Sequence, residues 1–211
     1  MSKSFRLLAL VSLSFVALTA PAHAQTFVMH AADSITTGHL RLTAHPVGLF
    51  ARNGGPDRWG GAVDLGYGIT DSLDIEGQSA FFDGFNLVGA GANVRLLRGD
   101  VELSTRLGAH KALIRNAPDS TAVDLSVLVG GRVSSGLRVS GGASVSFESV
   151  DHVSNSGFTR AYVVPGLEYR INRSLDLVAE VGVGLNQNSP HYFTAGFAVY
   201  MPTSDRARER R

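Results

Sequence analysis

Residues 58–70 read RWGGAVDLGYGIT, and the character of the side chains alternates along this stretch. Most odd positions carry large apolar or aromatic residues, such as Trp59, Leu65 and Tyr67. The even positions carry charged or small residues, such as Arg58 and Asp64. A period of two belongs to a β-strand with one apolar face, because a helix repeats its apolar positions every three or four residues. The stretch therefore predicts a strand whose two faces meet different surroundings.

The same alternation recurs along most of the chain. It is clear in segments 73–81, 101–113, 122–129, 137–148 and 175–185. It is less regular in 87–97, 158–171 and 192–201, and segment 40–51 begins in phase but loses the alternation near Pro46. A tilted strand needs roughly 9–11 residues to cross a bilayer, and most of these segments approach that length. The pattern predicts about ten strands, with eight as the smaller alternative.

The connections between these segments alternate in length. Short turns are expected at 70–72, 98–100, 134–136 and 172–174, longer polar ones at 52–57, 115–120, 151–157 and 186–191, and a medium one at 83–86. Short turns alternating with longer loops are typical of a closed antiparallel up-and-down transmembrane β-barrel, with the short turns periplasmic and the longer loops extracellular. The predicted fold class is therefore all-β, with a membrane-spanning barrel over residues 39–202.

Composition excludes several other classes of protein. The chain of 211 residues has 44% hydrophobic and 18% charged residues, a formal net charge of +1 and no cysteine. Without cysteine there is no disulfide scaffold, thiolate metal site or cysteine nucleophile. The histidines form no ligand pair, so no metal and no cofactor are predicted. The charge balance offers no basic patch for nucleic acid.

Both ends of the sequence lie outside the predicted barrel. Lys3 and Arg6 precede an uncharged apolar run over 7–20, and Ala22-His23-Ala24 follows it. This is the pattern of a secretory signal peptide cleaved after Ala24, so we expect export, and residues 25–38 to form a periplasmic segment. Residues 203–211 are expected to form a disordered basic tail that could contact an anionic periplasmic polymer.

The polar face of the strands carries many charges. They belong inside a barrel, because each costs roughly 2–4 kcal/mol near the middle of the hydrocarbon. Ten strands lie near the size that side chains alone can fill, so we expect an ion-paired plug, with a narrow polar pathway as the functional alternative. The predicted interior residues are Arg58, Asp64, Glu76, Arg95, Glu102, Arg106, Asp124, Arg138, Glu148, Arg160, Glu168, Arg170 and Glu180.

The outward aromatic residues fall at the two ends of the strands, as expected for side chains at the two lipid–water interfaces. Lys111 is the one charge on the outward face, near the outer end of its strand, where it can reach the headgroup level. The predicted interface aromatics are Trp59, Phe81, Phe147 and Phe193 at the outer level and Tyr67 and Tyr169 at the inner level.

Residues 152–157, in the long connection after the 137–148 strand, read H-x-S-N-x-G. They resemble the motif of the outer-membrane lipid A 3-O-deacylases, and the resemblance implies Ser154 as nucleophile, His152 as base and Glu168 as the acid that orients the imidazole. Glu168, however, is ten residues down a strand from Phe158, or about 30 Å at ~3.3 Å per residue. Asp151 or Glu148 would have to replace it, so a hydrolase remains an alternative and a non-enzymatic protein is expected.

As a whole, residues 40–201 resemble the small outer-membrane β-barrel proteins of Gram-negative bacteria, the OmpA-like transmembrane domains and porin-family domains. The resemblance is based on the segments LGYGITDS at 65–72 and GLEYRI at 166–171. It implies outer-membrane lipid as a partner and either anchoring or narrow passage of small solutes as the function. The remaining alternative is a soluble secreted β-protein that binds a ligand in its interior.

Overall fold

The computed structural model describes residues 34–52, 54–153 and 157–203. Within them there are eleven strands. The strands are β1 (His39–Phe50), β2 (Arg58–Thr70), β3 (Leu73–Phe82), β4 (Phe85–Leu97), β5 (Val101–Ile114), β6 (Ser120–Arg132), β7 (Leu137–Val150), β8 (Phe158–Val163), β9 (Gly166–Arg170), β10 (Leu175–Gly184) and β11 (His191–Pro202). No helix in the described ranges is long and apolar enough to cross a membrane.

The strands form one closed sheet in which each neighbour is antiparallel. Strands β1 to β7 pair in chain order, and the last strand, β11, pairs with both β10 and β1. Closure by β11 on β1 removes both sheet edges, and with them the unpaired backbone groups that an open sheet would present. The predicted fold class, a closed antiparallel all-β barrel of ten strands, is confirmed.

Strands β8 and β9 are the two halves of the eighth barrel strand. Both pair with β7 on one side and β10 on the other, and the register does not shift between them: Ala143 is opposite Val163, and Ser140 is opposite Gly166. Pro165 lies at the break, and proline has no N–H for the ladder. Its carbonyl still accepts a hydrogen bond from the N–H of Val181 at 3.0 Å.

The connections define two ends of the barrel. The short-turn end has the β2–β3, β4–β5, β6–β7 and β9–β10 connections, and residues 34–38 and 203 lie there too. The long-loop end has the other connections, over 51–57, 83–84, 115–119, 151–157 and 185–190. One expectation is wrong: β3 and β4 are joined by a two-residue Asp83-Gly84 turn rather than a medium loop, since Phe82 and Phe85 are paired. Gly84 has a φ of 91°, which glycine adopts without strain.

The two faces of the wall differ in exposure. Large apolar side chains point outward and are exposed around the whole barrel, for example Leu107 at 60%. No second sheet or helix among the described residues covers them. Their sequence neighbours point inward and are buried, as the alternation predicts.

The interior is not uniformly polar, contrary to expectation. Strand β1 keeps its phase past Pro46, but its inward residues change from polar to apolar, because Val47 and Leu49 are buried inside. The same holds for much of the long-loop half of the barrel. The apolar cluster comprises Val47, Leu49, Ala62, Ala80, Phe82, Phe85, Leu87, Ala112, Leu128, Tyr162, Val164 and Tyr192. Inward apolar residues make a strand apolar on both faces, which is why segments 40–51 and 87–97 lack clear alternation.

The segment before β1 folds into the short-turn end. The side chain of Ile35 is 2% exposed. It lies inside the wall against Gly66, where a Cβ atom would meet it, and Gly68 lies equally close to the backbone of Ile35 and Thr36. The N–H of Ile35 donates to Asp74 Oδ2 at 3.0 Å. Residues 34–38 thus form part of the barrel's inner surface. The predicted signal peptide, residues 25–33 and the tail beyond 203 lie outside the described residues.

Candidate functional site

The structure places the predicted polar residues on the inward side of the wall, buried or half-buried. Several groups of these residues are joined by contacts between strands. Arg58 lies at the rim of the long-loop end, where its Nη1 donates to the carbonyl of Asp83 at 2.5 Å and its guanidinium stacks over Phe85 at 5.4 Å.

The central network is built around Glu76 of β3. Its Oε1 accepts from Arg41 of β1, and its Oε2 lies 2.9 Å from Nη1 of Arg106 on β5. Through the Glu76 carboxylate, β3 is therefore linked to β1 on one side and to β5 on the other. Nearby, Asp74 accepts from the Nδ2 of Asn93 at 3.3 Å. Arg41 was absent from the predicted set. It lies between the outward residues Leu40 and Leu42, however, so the alternation marks it as inward.

A second network lies at the short-turn end. Glu102 of β5 forms an ion pair with Arg138 of β7 and has Arg95 Nη1 of β4 at 3.9 Å. Arg95 also donates to the carbonyl of Asp71 in the β2–β3 turn. Arg170 of β9 reaches Asp176 at 3.8 Å. Arg170 is half-buried, whereas the side chains of Glu102, Arg95 and Asp176 are buried and that of Arg138 is nearly so.

A third network, toward the long-loop end, has His110 at its centre. Its Nδ1 is 2.7 Å from Asp124 Oδ2, and its Nε2 is 3.4 Å from Glu148 Oε1. Glu148 is also 3.4 Å from Nη2 of Arg160, which stacks over Phe158. The sequence places His110 on the polar face, but its pairing with two carboxylates comes from neighbouring strands and has no sequence signal.

Strands β1, β2 and β11 bring together His45, Asp64 and Thr194. The His45 Nε2 is 2.9 Å from Asp64 Oδ2, and its Nδ1 is 2.6 Å from the Thr194 hydroxyl. This order of hydroxyl, imidazole and carboxylate is that of a hydrolase triad. The hydroxyl of Thr194, however, donates to the carbonyl of Pro46 at 2.8 Å and its side chain is fully buried in the wall. The arrangement links three strands and gives a substrate no access.

Aromatic rings pack inside the barrel near the long-loop end. Phe82 and Phe85 are stacked with centroids 4.7 Å apart, and Tyr162 and Tyr192 pack with centroids 5.6 Å apart. The Tyr192 hydroxyl donates to Glu180 Oε1 at 2.6 Å. Its ring lies directly on Gly182, where a Cβ atom would overlap it. An aromatic ring over a strand glycine is a known means of fixing register in curved sheets.

At the short-turn end the described residues leave space between them. A cavity of about 580 Å³ lies there between residues 34–36 and the wall. Glu168 and Arg170, both predicted as interior residues, line it together with Tyr200 of β11.

All six predicted interface aromatics lie on the outward face and are exposed, from Tyr67 at 38% to Trp59 at 64%. Trp59 also packs edge-on against Phe50, which the sequence analysis did not single out, with ring centroids 6.0 Å apart. Phe197 is a further outward aromatic, on β11 between the two predicted levels.

Lys111 points outward near the long-loop end. Its Nζ is 3.0 Å from Asp151 Oδ2 and 3.4 Å from Asp119 Oδ2, both in the adjoining connections. The hydrogen bond from Lys111 holds the pKa of Asp151 below its ordinary value. The outward charge is thus neutralised by loop carboxylates, an arrangement that strand alternation does not reveal.

The deacylase-like motif is only partly visible. His152 is exposed at the long-loop end with a φ of 64°, and Ser154 lies outside the described residues. Glu168 lines the cavity at the opposite end of the barrel. The acid that the resemblance assigns to the imidazole is therefore out of reach of His152. Within the described ranges there is also no group of three or more metal-ligating side chains.

No family model matches the chain, and no curated protein matches it. Among solved structures it is similar to an outer-membrane channel from Pseudomonas putida F1, with 11% identity, a TM-score of 0.46 and coverage of 83% of this chain and 100% of the other. It is also similar to a de novo designed transmembrane β-barrel, with 14% identity, a TM-score of 0.42 and coverage of 79% and 98%. A third is the outer-membrane protein OprG from Pseudomonas aeruginosa, with 12% identity, a TM-score of 0.39 and coverage of 79% and 97%.

Proposed function

We propose that this chain is a non-enzymatic β-barrel protein of the Gram-negative outer membrane, anchored in the bilayer and lacking an open pore. The observation that carries the proposal is the exposed apolar outer surface of a closed barrel. On β6, for example, Val123, Leu125, Val127 and Val129 point outward one after another, each 46–50% exposed. Aliphatic side chains on every outward position of a strand are stable in hydrocarbon but not in water.

The position of the charges supports the same proposal. Charged residues of the strands lie inside or at the strand ends, and Lys111, the outward exception, is paired with loop carboxylates at the long-loop end. A charge at the bilayer midplane costs roughly 2–4 kcal/mol, so an outer surface without unpaired central charges favours membrane insertion.

The filled interior supports anchoring over open diffusion. The aromatic pairs Phe82–Phe85 and Tyr162–Tyr192 occupy the long-loop half, and charged networks occupy the middle. Barrels of this strand number are about as wide as their own side chains can fill. The connections at the long-loop end are at most seven residues long, and the Asp83-Gly84 turn has only two, so they leave little surface for an adhesive domain.

Fractionation tests the membrane assignment. The full chain, produced in a Gram-negative host, should remain in the membrane pellet after carbonate extraction. Its unheated form should migrate differently from its boiled form on a gel, because a closed barrel resists detergent until heated. Recovery in the soluble fraction, with no heat-dependent shift, would favour the soluble ligand-binding alternative. Amino-terminal sequencing of the same material tests for a mature start at Gln25.

Conductance tests the closed interior. In planar bilayers the refolded protein should give no steps above background. A narrow passage for small solutes is the second candidate, because the cavity at the short-turn end extends partway into the interior. Reproducible unit conductance would favour passage of small solutes over anchoring as the function. A Phe82→Ala variant that conducts while the parent does not would identify the aromatic pairs as the barrier.

Comparison of lipid A acylation tests the absence of enzymatic activity. Cells expressing the protein and cells expressing Ser154→Ala should show the same lipid A by mass spectrometry. Loss of an acyl chain that depends on Ser154 would support the deacylase-like alternative, with Asp151 as the carboxylate next to His152.

A further inference from the structure

The cavity at the short-turn end has a strongly basic lining. Six arginines face it against three carboxylates, Asp71, Glu102 and Glu168. These nine side chains carry an excess of three positive charges, which Glu76 beside Arg41 and Asp176 beside Arg170 offset in part. The arginines are Arg41, Arg95, Arg98, Arg132, Arg138 and Arg170. A concave site with charges of one sign and protein walls concentrates ions of the opposite sign.

Two of these arginines are forced together by the register. Arg132 of β6 lies directly opposite Arg138 of β7. Like charges on directly opposed strand positions destabilise a sheet. Arg138 forms an ion pair with Glu102, which also lies beside Arg95, and it lies directly opposite Glu168 of β9. Arg132 therefore adds a positive charge beside an arginine whose neighbouring carboxylates are already engaged.

The contact that Arg98 makes in this lining is weak enough for a ligand to replace it. Arg98 is 71% exposed in its side chain, and its nearest carboxylate oxygen, on Asp71, is 3.8 Å away. An exposed ion pair of this length contributes little, because water and salt screen it. Arg98 can turn toward a ligand without breaking the buried networks.

We propose that this cavity binds a small anion that carries at least two negative charges on phosphate or carboxylate groups. The planar guanidinium fork bonds such groups in pairs of hydrogen bonds, which is why arginine is enriched at these sites. The volume of about 580 Å³ lies within the usual range for small-molecule sites. The lining residues lie on the inward face of the strands, in residues 34–36 or in the turns at this end, so the ligand is a free solute rather than a membrane lipid. This inference goes beyond anchoring and holds whether or not the interior conducts.

Titration calorimetry on the full barrel, refolded in a non-ionic detergent, tests the proposal with inorganic pyrophosphate and, separately, citrate. We expect saturable binding of at least one of them that weakens as ionic strength rises. Arg98→Gln and Arg132→Gln should each reduce affinity severalfold, and the double variant at least tenfold. Both side chains are exposed, so these variants should fold, and the heat-dependent gel shift verifies that they do.

Arg115→Gln is the matched control. Arg115 is also an exposed arginine, but it lies in the β5–β6 connection at the long-loop end. Its substitution should leave the affinity unchanged. Absence of binding by the parent protein to both anions would overturn the proposal. Equal loss of affinity in Arg115→Gln and Arg132→Gln would do the same, because it would mean that only overall charge matters.

Discussion

The two ends of the barrel interior are built from the same strands but are filled differently. At the long-loop end, buried aromatic and aliphatic side chains pack against one another. At the short-turn end, arginines and carboxylates surround a cavity of about 580 Å³. One end therefore resembles a protein core, whose stability comes from apolar packing, and the other a binding site, whose stability depends on ion pairs. The difference shows that strand alternation defines which side chains point inward. Whether those side chains are apolar or charged varies along the barrel axis.

Glu76→Gln should give the largest effect, because Glu76 neutralises both Arg41 and Arg106 in the buried central network. Removing one partner of a buried ion pair typically costs about 3–5 kcal/mol. Urea unfolding of the barrel in detergent measures this loss in the free energy of unfolding. The control is Asp83→Asn, an exposed carboxyl-to-amide change in the Asp83-Gly84 turn, which should be close to neutral. Equal stability of the two variants would show that the polar half does not depend on its ion pairs.

Tyr192→Phe should have the next largest effect and tests a buried polar contact beside the aromatic cluster. It keeps the ring on Gly182 but removes the hydroxyl that donates to Glu180. A lost hydrogen bond to a charged group costs about 1.5–3 kcal/mol. Tyr169→Phe, on an outward and exposed tyrosine, is the control for loss of a hydroxyl as such. A neutral Tyr192→Phe would mean that the ring alone stabilises this region.

Gly182→Ala tests the packing of the apolar end. The added methyl group would overlap the Tyr192 ring, so the ring must move, and overpacking of a core costs about 1–3 kcal/mol. Gly141→Ala is the control, since a Cβ at Gly141 meets nothing within 4 Å. If both variants unfold at the same urea concentration, Tyr192 does not require a glycine beneath it.

Lys111→Met should have the smallest effect. The pKa of Asp151 is below its ordinary value because Lys111 donates to it, so the folded state binds fewer protons there than the unfolded state. That contribution is present at neutral pH and is lost as the pH falls through the lowered pKa of Asp151. A thermal melt should thus separate parent and variant slightly at pH 7 and less at pH 3. A larger difference at pH 3 would contradict the pairing.

The fold was predictable because the period of two is local. Alternation in segments such as 58–70, together with turn residues between them, is sufficient to predict a closed barrel and the inward placement of charges such as Glu76 and Arg138. The same reasoning failed where both faces of a strand are apolar. Val47 and Leu87 face the interior but are indistinguishable by type from the lipid-facing residues, so the apolar cluster left no sequence signal.

The site was less predictable because its contacts are set by register between strands. Nothing in the sequence shows that Arg132 lies opposite Arg138, or that Glu76 reaches strands on both sides. The entry of Ile35 over Gly66 and Gly68 likewise depends on a segment that has no alternation of its own.

By itself, the sequence determined the strand period, the sorting of charged from aliphatic side chains and the aromatic residues at the strand ends, because each of these depends only on neighbours along one strand. The tertiary structure alone decided that aromatic rings stack inside the long-loop end and that six arginines meet at the short-turn end. Those outcomes follow from closure of β11 on β1, which fixes the register of every strand and brings residues far apart in sequence within bonding distance.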